Sequence, residues 1–140
     1  MIGVTDMARL HKAAFLQSRP WTEAEFETLT GSPHVLVAGD TRSFALARVV
    51  ADEAELLTIA THPKFQRQGL AGAVMTEWQT RAASQGAVRA FLEVASDNPA
   101  AIALYETCGY RQSGLRRGYY QRPGKAAADA LVMVRDLGGS

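Results

Sequence analysis

Around residue 70 the spacing of apolar residues changes from two to about 3.6, and this switch constrains the fold more than any other feature of the chain. Upstream, Glu55–Ala60 alternates as a strand does. Downstream, Leu70, Ala73, Val74, Met75, Trp78 and Ala82 make an apolar stripe, with Glu77, Gln79 and Arg81 facing away and Gly86 placed to end the helix. Between them lies the turn Gln66-Arg67-Gln68-Gly69-Leu70-Ala71-Gly72. A strand that feeds a helix through so short a turn predicts a helix packed back on a sheet, a mixed α/β arrangement. The turn also has a chemical meaning. N–H groups of a first helical turn lack intrahelical partners and sit at the positive end of the dipole, a place suited to an anion. Gly69 lets the main chain approach a phosphate, Ala71 and Gly72 keep the first turn narrow, and Lys64 and Arg67 add positive charge. A tight turn that only packs helix on sheet is the alternative reading.

The remaining elements arrange themselves around that switch. Met7, Leu10, Ala13, Ala14 and Phe15 recur at helical spacing behind Thr5 or Asp6 as N-cap. Thr22-Glu23-Ala24-Glu25 has the form of a capping box, with Phe26 and Leu29 on one face of a second short helix. His34–Ala38, Ser43–Ala51 and Glu55–Ala60 are strand-like runs parted by Asp40-Thr41 and Asp52-Glu53, which predicts an antiparallel meander. Arg89–Ala95 is a strand with Ala90, Leu92 and Val94 on one face. Asn98-Pro99 opens a helix carrying Ile102, Tyr105 and Cys108 and stopped by Gly109. Tyr110–Arg116 and Ala130–Arg135 are two last strands joined by a loop, Gly118–Ala128. There is no repeat, low-complexity block or Pro/Gly/Ser linker, so residues 1–140 read as one domain.

Composition matters here for what it excludes. Fifteen basic residues against fourteen acidic ones leave no excess with which to release counterions from a nucleic acid. Charges interrupt the apolar runs too often for a membrane span, and the N-terminus lacks a basic stretch followed by an apolar one. One cysteine, Cys108, allows no internal disulfide and fits a reducing, cytoplasmic setting. The three histidines and Cys108 lack metal-ligand spacing. Two nucleotide motifs fail as well. No further glycine follows Gly72 at the step a dinucleotide fingerprint requires. Gly118 to Gly124-Lys125-Ala126 is one residue too long for a P-loop and lacks its hydroxyl.

Gln66-x-x-Gly69-x-Ala71 resembles the Q/R-x-x-G-x-G/A signature of the GNAT superfamily of acyl-CoA N-acyltransferases, at that superfamily's strand-to-helix position. Within it the chain resembles the RimI-type N-acetyltransferases, which acetylate the N-terminal α-amine of a ribosomal protein. Pro20-Trp21-Thr22-Glu23, Leu57-Thr58-Ile59-Ala60, Leu92-Glu93-Val94, Asn98 to Gly109 and Arg116-Arg117-Gly118-Tyr119-Tyr120 carry that resemblance over nearly the whole chain. It implies a central, mostly antiparallel sheet flanked by about four helices. It also implies acetyl-CoA as co-substrate, no metal, and a protein or peptide N-terminus as acceptor. On the same ground, Leu57 to Ala60, Gln66 to Gly72, Asn98, Ala101 and Tyr105 are expected to bind the cofactor. Trp21, Glu93, Tyr119 and Tyr120 are expected to bind the acceptor.

Two residues are candidates for proton transfer. Glu93 sits on the strand Arg89–Ala95 between Leu92 and Val94, where burial would raise its pKa toward that of a useful base; an ion pair with Arg89 or Arg116 is the other reading. The resemblance makes Glu93 the general base, acting directly or through water. Tyr105 on an apolar stripe reads as core, whereas the resemblance makes it the acid that protonates the CoA thiolate. That transfer, from a pKa of about 10 to a thiol of about 8.5, is roughly 2 kcal/mol uphill in solution. Asn98 serves equally as N-cap or pantetheine ligand, and Trp21 as packing or groove wall. Cys108 is most simply a small buried hydrophobe.

At pH 7 an α-amine is roughly a tenth neutral and a lysine neutral in less than about one part in a thousand, which favours an α-amine for one carboxylate base. The chain departs from the family at Ala71, allowed by the signature; in a first strand reduced to Met1–Val4 or missing, which weakens that sheet edge; and at Ala95, where relatives often carry a basic residue. An acetyltransferase of lysine or a small amine, and a non-catalytic acyl-CoA-binding module, remain the alternatives.

Overall fold

Local chemistry explains where the helices of the computed structural model begin and end. It describes residues 2–14, 20–120, 124 and 126–138; the expectations at Met1, Phe15 and Lys125 lie outside these residues. Helix α1 (Val4–Ala14) starts two residues before the expected cap, because the Gly3 carbonyl accepts the Met7 N–H. Thr5 therefore sits inside the first turn and donates to Glu23 Oε1 at 2.8 Å. Helix α2 (Glu23–Thr30) has the expected capping box. Thr22 Oγ1 accepts the Glu25 N–H and Glu25 Oε1 accepts the Thr22 N–H. Helix α3 (Leu70–Ser84) and helix α4 (Pro99–Thr107) follow as their periodicity predicts, with Asn98 Oδ1 capping α4 through the Ala101 N–H.

Six strands form one sheet: β1 (Val35–Gly39), β2 (Ser43–Val50), β3 (Glu53–Thr61), β4 (Arg89–Ala95), β5 (Arg111–Tyr120) and β6 (Ala128–Asp136). Their spatial order is β1-β2-β3-β4-β6-β5, antiparallel except for the parallel pair β3–β4. This is the expected mixed, mostly antiparallel sheet with four helices. Among the described residues no strand precedes α1, and no helix is long and apolar enough to cross a membrane. Buried Ile2 instead packs with Met7 and Leu10.

The sheet separates two cores. Helices α3 and α4 cover one face through Val74, Met75, Trp78, Ala82 and Tyr105, against Ala45, Ala47, Leu56, Leu92 and Met133. Helices α1 and α2 cover the other through Met7, Leu10 and Phe26, against Phe44, Leu46 and Ala60. β3 changes allegiance along its length. Leu46 pairs with Thr58 and Ala47 with Leu56, so Leu57 is the extra residue of a β-bulge. Before the bulge Ala54 and Leu56 face α3; after it Ala60 faces α1.

Three expectations need correction. Gln79 does not face away from the core: it is 7% exposed and accepts the Tyr110 O–H at 2.7 Å, a satisfied buried polar pair that fixes α3 on the sheet. Ala73, placed on the stripe, is exposed. Glu77 and Arg81 do face away from the core as expected, and from there reach the edge of β1, where Arg81 Nη1 donates to the Val37 carbonyl and Glu77 accepts the Gly39 N–H at 3.3 Å. The edge strand thus has two of its outward backbone groups covered by α3, which offsets the lack of a preceding strand. The last hairpin also differs. β5 continues to Tyr120, its extra residues absorbed by register shifts between Gln112 and Gly114 and between Arg116 and Tyr120, so Tyr119 and Tyr120 end a strand rather than sit in a loop.

Candidate active site

The parallel ladder between β3 and β4 is short. It runs from Glu53↔Arg89 to Glu55↔Phe91, and beyond it the two strands continue to Thr61 and Ala95. Because the strands are parallel, their carboxyl ends lie at the same edge of the sheet, the usual ligand side of an open α/β arrangement. The expected cofactor residues Leu57 to Ala60 line one side of the divergence and Leu92 to Ala95 the other. Strand edges that have parted present backbone N–H and C=O groups to an amide-bearing ligand laid between them.

Both strands lead into helices at that edge. From β3 a single 3₁₀ turn, Pro63–Phe65, capped by His62 Nδ1 on the Lys64 N–H, brings the chain to α3. Its N-cap is Gly69 at φ 79°, with no side-chain cap. α2 and α4 are capped by Thr22 and Asn98, whereas the first-turn N–H groups of α3 face an exposed turn with no side-chain acceptor among the described residues. Arg67 is also held at a left-handed φ of 63°. Left-handed residues so close together make a concave run of backbone N–H groups suited to an anion. A Cβ at Gly72 would meet nothing within 4 Å, so packing in the protein alone does not explain that glycine. Gln66 Nε2 donates to the Thr61 carbonyl at 3.4 Å and ties the turn to the end of β3.

From β4 the chain reaches α4 and Tyr105. This tyrosine is 7% exposed, stands edge-on to Tyr110 at 6.2 Å, and has no hydrogen bond to its phenol oxygen among the described residues. Burial first, then the neighbouring Tyr120 and Cys108, raises its pKa well above that of ordinary tyrosine. It is therefore neutral, a donor, throughout the working range of pH. Burial also raises the Cys108 thiol, partly offset by Arg135, so Cys108 is not a ready thiolate.

On the sheet face toward α1 and α2, Glu93 is ion-paired with Arg116, Nη2 to Oε1 at 3.3 Å, and the glutamate side chain is 19% exposed. Arg116 in turn lies over the ring of Tyr119 at 5.2 Å, and Tyr119 stands edge-on to Tyr120 at 5.3 Å. The structure therefore connects Glu93, Tyr119 and Tyr120. Trp21 makes its ring contacts with other residues, stacked on His11 at 5.3 Å and packed on Phe26 at 5.5 Å.

Sequence reasoning missed Glu55. It sits opposite Arg48 across β2–β3 and in register with Phe91 on β4, two residues before Glu93 on the same face. Burial raises its pKa most; Arg48 opposes this, Glu93 adds to it, and Arg116 opposes it again. The result is a row across the sheet, Arg48, Glu55, Glu93 and Arg116, in which two neighbouring carboxylates are flanked by two guanidinium groups. The visible signal was a glutamate opening a strand; its neighbours were set by register and could not be read.

Residues 6–110 match the model of the Acetyltransferase (GNAT) family. The chain is 36% identical over 138 residues to the [ribosomal protein bS18]-alanine N-acetyltransferase of Escherichia coli (strain K12), covering 95% of this chain and 93% of that one. It is 36% identical over 143 residues to the N-alpha-acetyltransferase RimI of Mycobacterium tuberculosis (strain ATCC 25618 / H37Rv), covering 94% and 85%. The crystal structure of the ribosomal-protein-S18-alanine N-acetyltransferase from Escherichia coli superposes with a TM-score of 0.88 at 31% identity, over 98% of this chain and 89% of that one. If the glycines of the turn serve a phosphate rather than the fold, Gly72→Ala will raise unfolding stability by roughly 0.5–1 kcal/mol, the helix-propensity gain. The same change will weaken acetyl-CoA binding several-fold; urea unfolding and titration calorimetry on one preparation read both.

Proposed function

This chain belongs to the GNAT acetyltransferase family, enzymes that take the acetyl group from acetyl-CoA, and from that premise we propose that it acetylates the N-terminal α-amine of a protein, a ribosomal protein foremost. One observation carries the reading. A helix N-terminus without a side-chain cap, a buried phenol with no hydrogen-bond partner among the described residues and a carboxylate pair belong to the elements that meet at or follow one short parallel ladder. Likeness over 95% of the chain to an alanine N-acetyltransferase of a ribosomal protein supports the acceptor.

The first turn of α3, with Gln66 to Gly72, holds the pyrophosphate by backbone N–H groups. Leu57 to Ala60, with Asn98 and Ala101 at the start of α4, line the path of the pantetheine arm. Tyr119 and Tyr120 wall the acceptor groove, with Trp21 as its outer boundary. The acceptor enters as the neutral amine; its nitrogen attacks the thioester carbon, C–N forms and C–S breaks, and Glu93 takes the one proton the nitrogen loses, which solvent later returns to the Tyr105 oxygen. Tyr105 gives its proton to the departing sulfur. Its raised pKa makes complete transfer more uphill than for a solvated phenol, so the hydrogen bond that steadies the thiolate is its main contribution.

A second assignment of the base has an observation in its favour. Glu93 is engaged by Arg116 while Glu55 beside it has the raised proton affinity, so Glu55 is the alternative proton acceptor. The acid limb of kcat/KM separates the two. With Glu55 as base the limb lies above the ordinary glutamate range of about 4.3 and vanishes in Glu55→Gln; with Glu93 as base it vanishes in Glu93→Gln instead.

The acceptor is tested by acetyl-CoA consumption with short peptides beginning Ala, Ser or Met, beside N-terminally blocked lysine peptides and polyamines. Turnover is expected with free α-amines; turnover confined to blocked lysine peptides or polyamines overturns the reading. For the acid, Tyr105→Phe is expected to lower kcat by roughly 10²-fold while leaving the acetyl-CoA dissociation constant within about twofold. An unchanged kcat removes Tyr105 from the mechanism.

A further inference from the structure

The Arg116 guanidinium lies over the ring of Tyr119, a residue only three places further along β5. On an unbroken strand, residues three apart point to opposite faces, so this contact needs a local break in the strand. The register supplies it. Arg116 pairs with Ala130 and Tyr120 with Ala128, so residues 117–119 of β5 all stand opposite Asp129 alone. Gly118, in the middle of the break, takes a left-handed φ of 60°. Extra residues of this kind lack ladder partners, and the strand end that follows is held only by what else fastens the break.

The residue opposite the break fastens it. The Gly118 N–H donates to Asp129 Oδ1 at 2.8 Å, and an ionised acceptor makes such a bond stronger than a neutral one. Asp129 is itself tied on the other side of β6. Its carbonyl accepts the Ser96 N–H at 2.8 Å, three residues past Glu93. One residue thus joins the end of β4, which carries Glu93, to the part of β5 that carries Arg116, Tyr119 and Tyr120. Aspartate is a poor strand residue, and the ladder of β6 gives no reason for one at this position. The bond to Gly118 does. Arg116 and Arg117 stand beside Gly118 in the chain, so attraction between charges is the competing account of the aspartate.

We propose that Asp129 is a positioning residue for the acceptor: by fastening the break at Gly118 it sets Tyr119 over Arg116, and Arg116 against Glu93. The inference rests on the reading of Tyr119 and Tyr120 as a wall of the acceptor groove. It makes acceptor binding depend on a side chain outside the residues assigned to either substrate.

Asp129→Ala and Asp129→Asn test it by steady-state kinetics with a peptide acceptor. Asp129→Ala is expected to raise the acceptor KM roughly tenfold, the size of one lost hydrogen bond to a charged group, with kcat and the acetyl-CoA KM within about twofold. Asp129→Asn keeps an acceptor oxygen without the charge and is expected to hold the acceptor KM within about threefold of the parent. Hydrogen exchange at the Gly118 amide, followed by NMR, supplies a readout free of substrate. It should quicken roughly tenfold in Asp129→Ala and stay near the parent rate in Asp129→Asn. An unchanged acceptor KM or unchanged Gly118 exchange in Asp129→Ala overturns the proposal. So does an equal rise in the acetyl-CoA KM, which marks damage to the whole site. Asp129→Asn no better than Asp129→Ala makes charge the cause and overturns it too. Parent turnover confined to blocked lysine peptides or polyamines sinks the α-amine reading alone, and the same comparison with that acceptor then decides the role of Asp129. No turnover with any acceptor overturns both.

Discussion

The site depends on how soon two parallel strands part. β3 and β4 share a ladder only from Glu53↔Arg89 to Glu55↔Phe91, and the protein then spends its remaining strand length on separated edges. A longer ladder would satisfy those backbone groups internally and leave no path for an extended arm. A shorter one would leave α3 without a firm base. The bulge at Leu57 belongs to the same device, because it bends β3 and moves Thr58 to the α1 side just where the strands diverge. Parallel direction does the rest, delivering the starts of α3 and α4 to one edge, each with its positive dipole end forward.

Charge and burial are distributed unevenly around that opening. On the face toward α1 and α2, two neighbouring carboxylates are flanked by two guanidinium groups, and burial, with Glu93 adding to it, raises the proton affinity of Glu55. On the α3–α4 face stands the Tyr105 phenol, held neutral by burial. In the proposed mechanism a carboxylate on one face would take the amine's proton and the phenol on the other would serve the departing thiolate.

Features governed by neighbours in sequence were legible. The Thr22–Glu25 capping box, the Asn98–Pro99 start of α4 and the strand-to-helix turn are local rules, and each appears where the residues place it. Features governed by register were not. Glu55 meets Glu93 only because three pairs of a parallel ladder align them, and the ends of the last hairpin moved because bulges absorb residues without a sequence mark. Gln79 misled for a related reason: its partner, Tyr110, is 31 residues away, so a buried amide looked like a surface one. At the site, the resemblance supplied Tyr105 and Glu93, whereas the Arg116 pairing of Glu93 was one of two partners the residues left open.

The covering of β1 has a consequence for assembly. Arg81 and Glu77 occupy outward positions at Val37 and Gly39 that a neighbouring strand would need, while among the described residues no helix packs closely along β5 at the opposite end of the sheet. Such a sheet has one edge closed to strand addition and one edge open to it. Two copies joined edge to edge through β5 would present only terminated ends outward, so growth by strand addition stops at a pair and does not run on into a fibre.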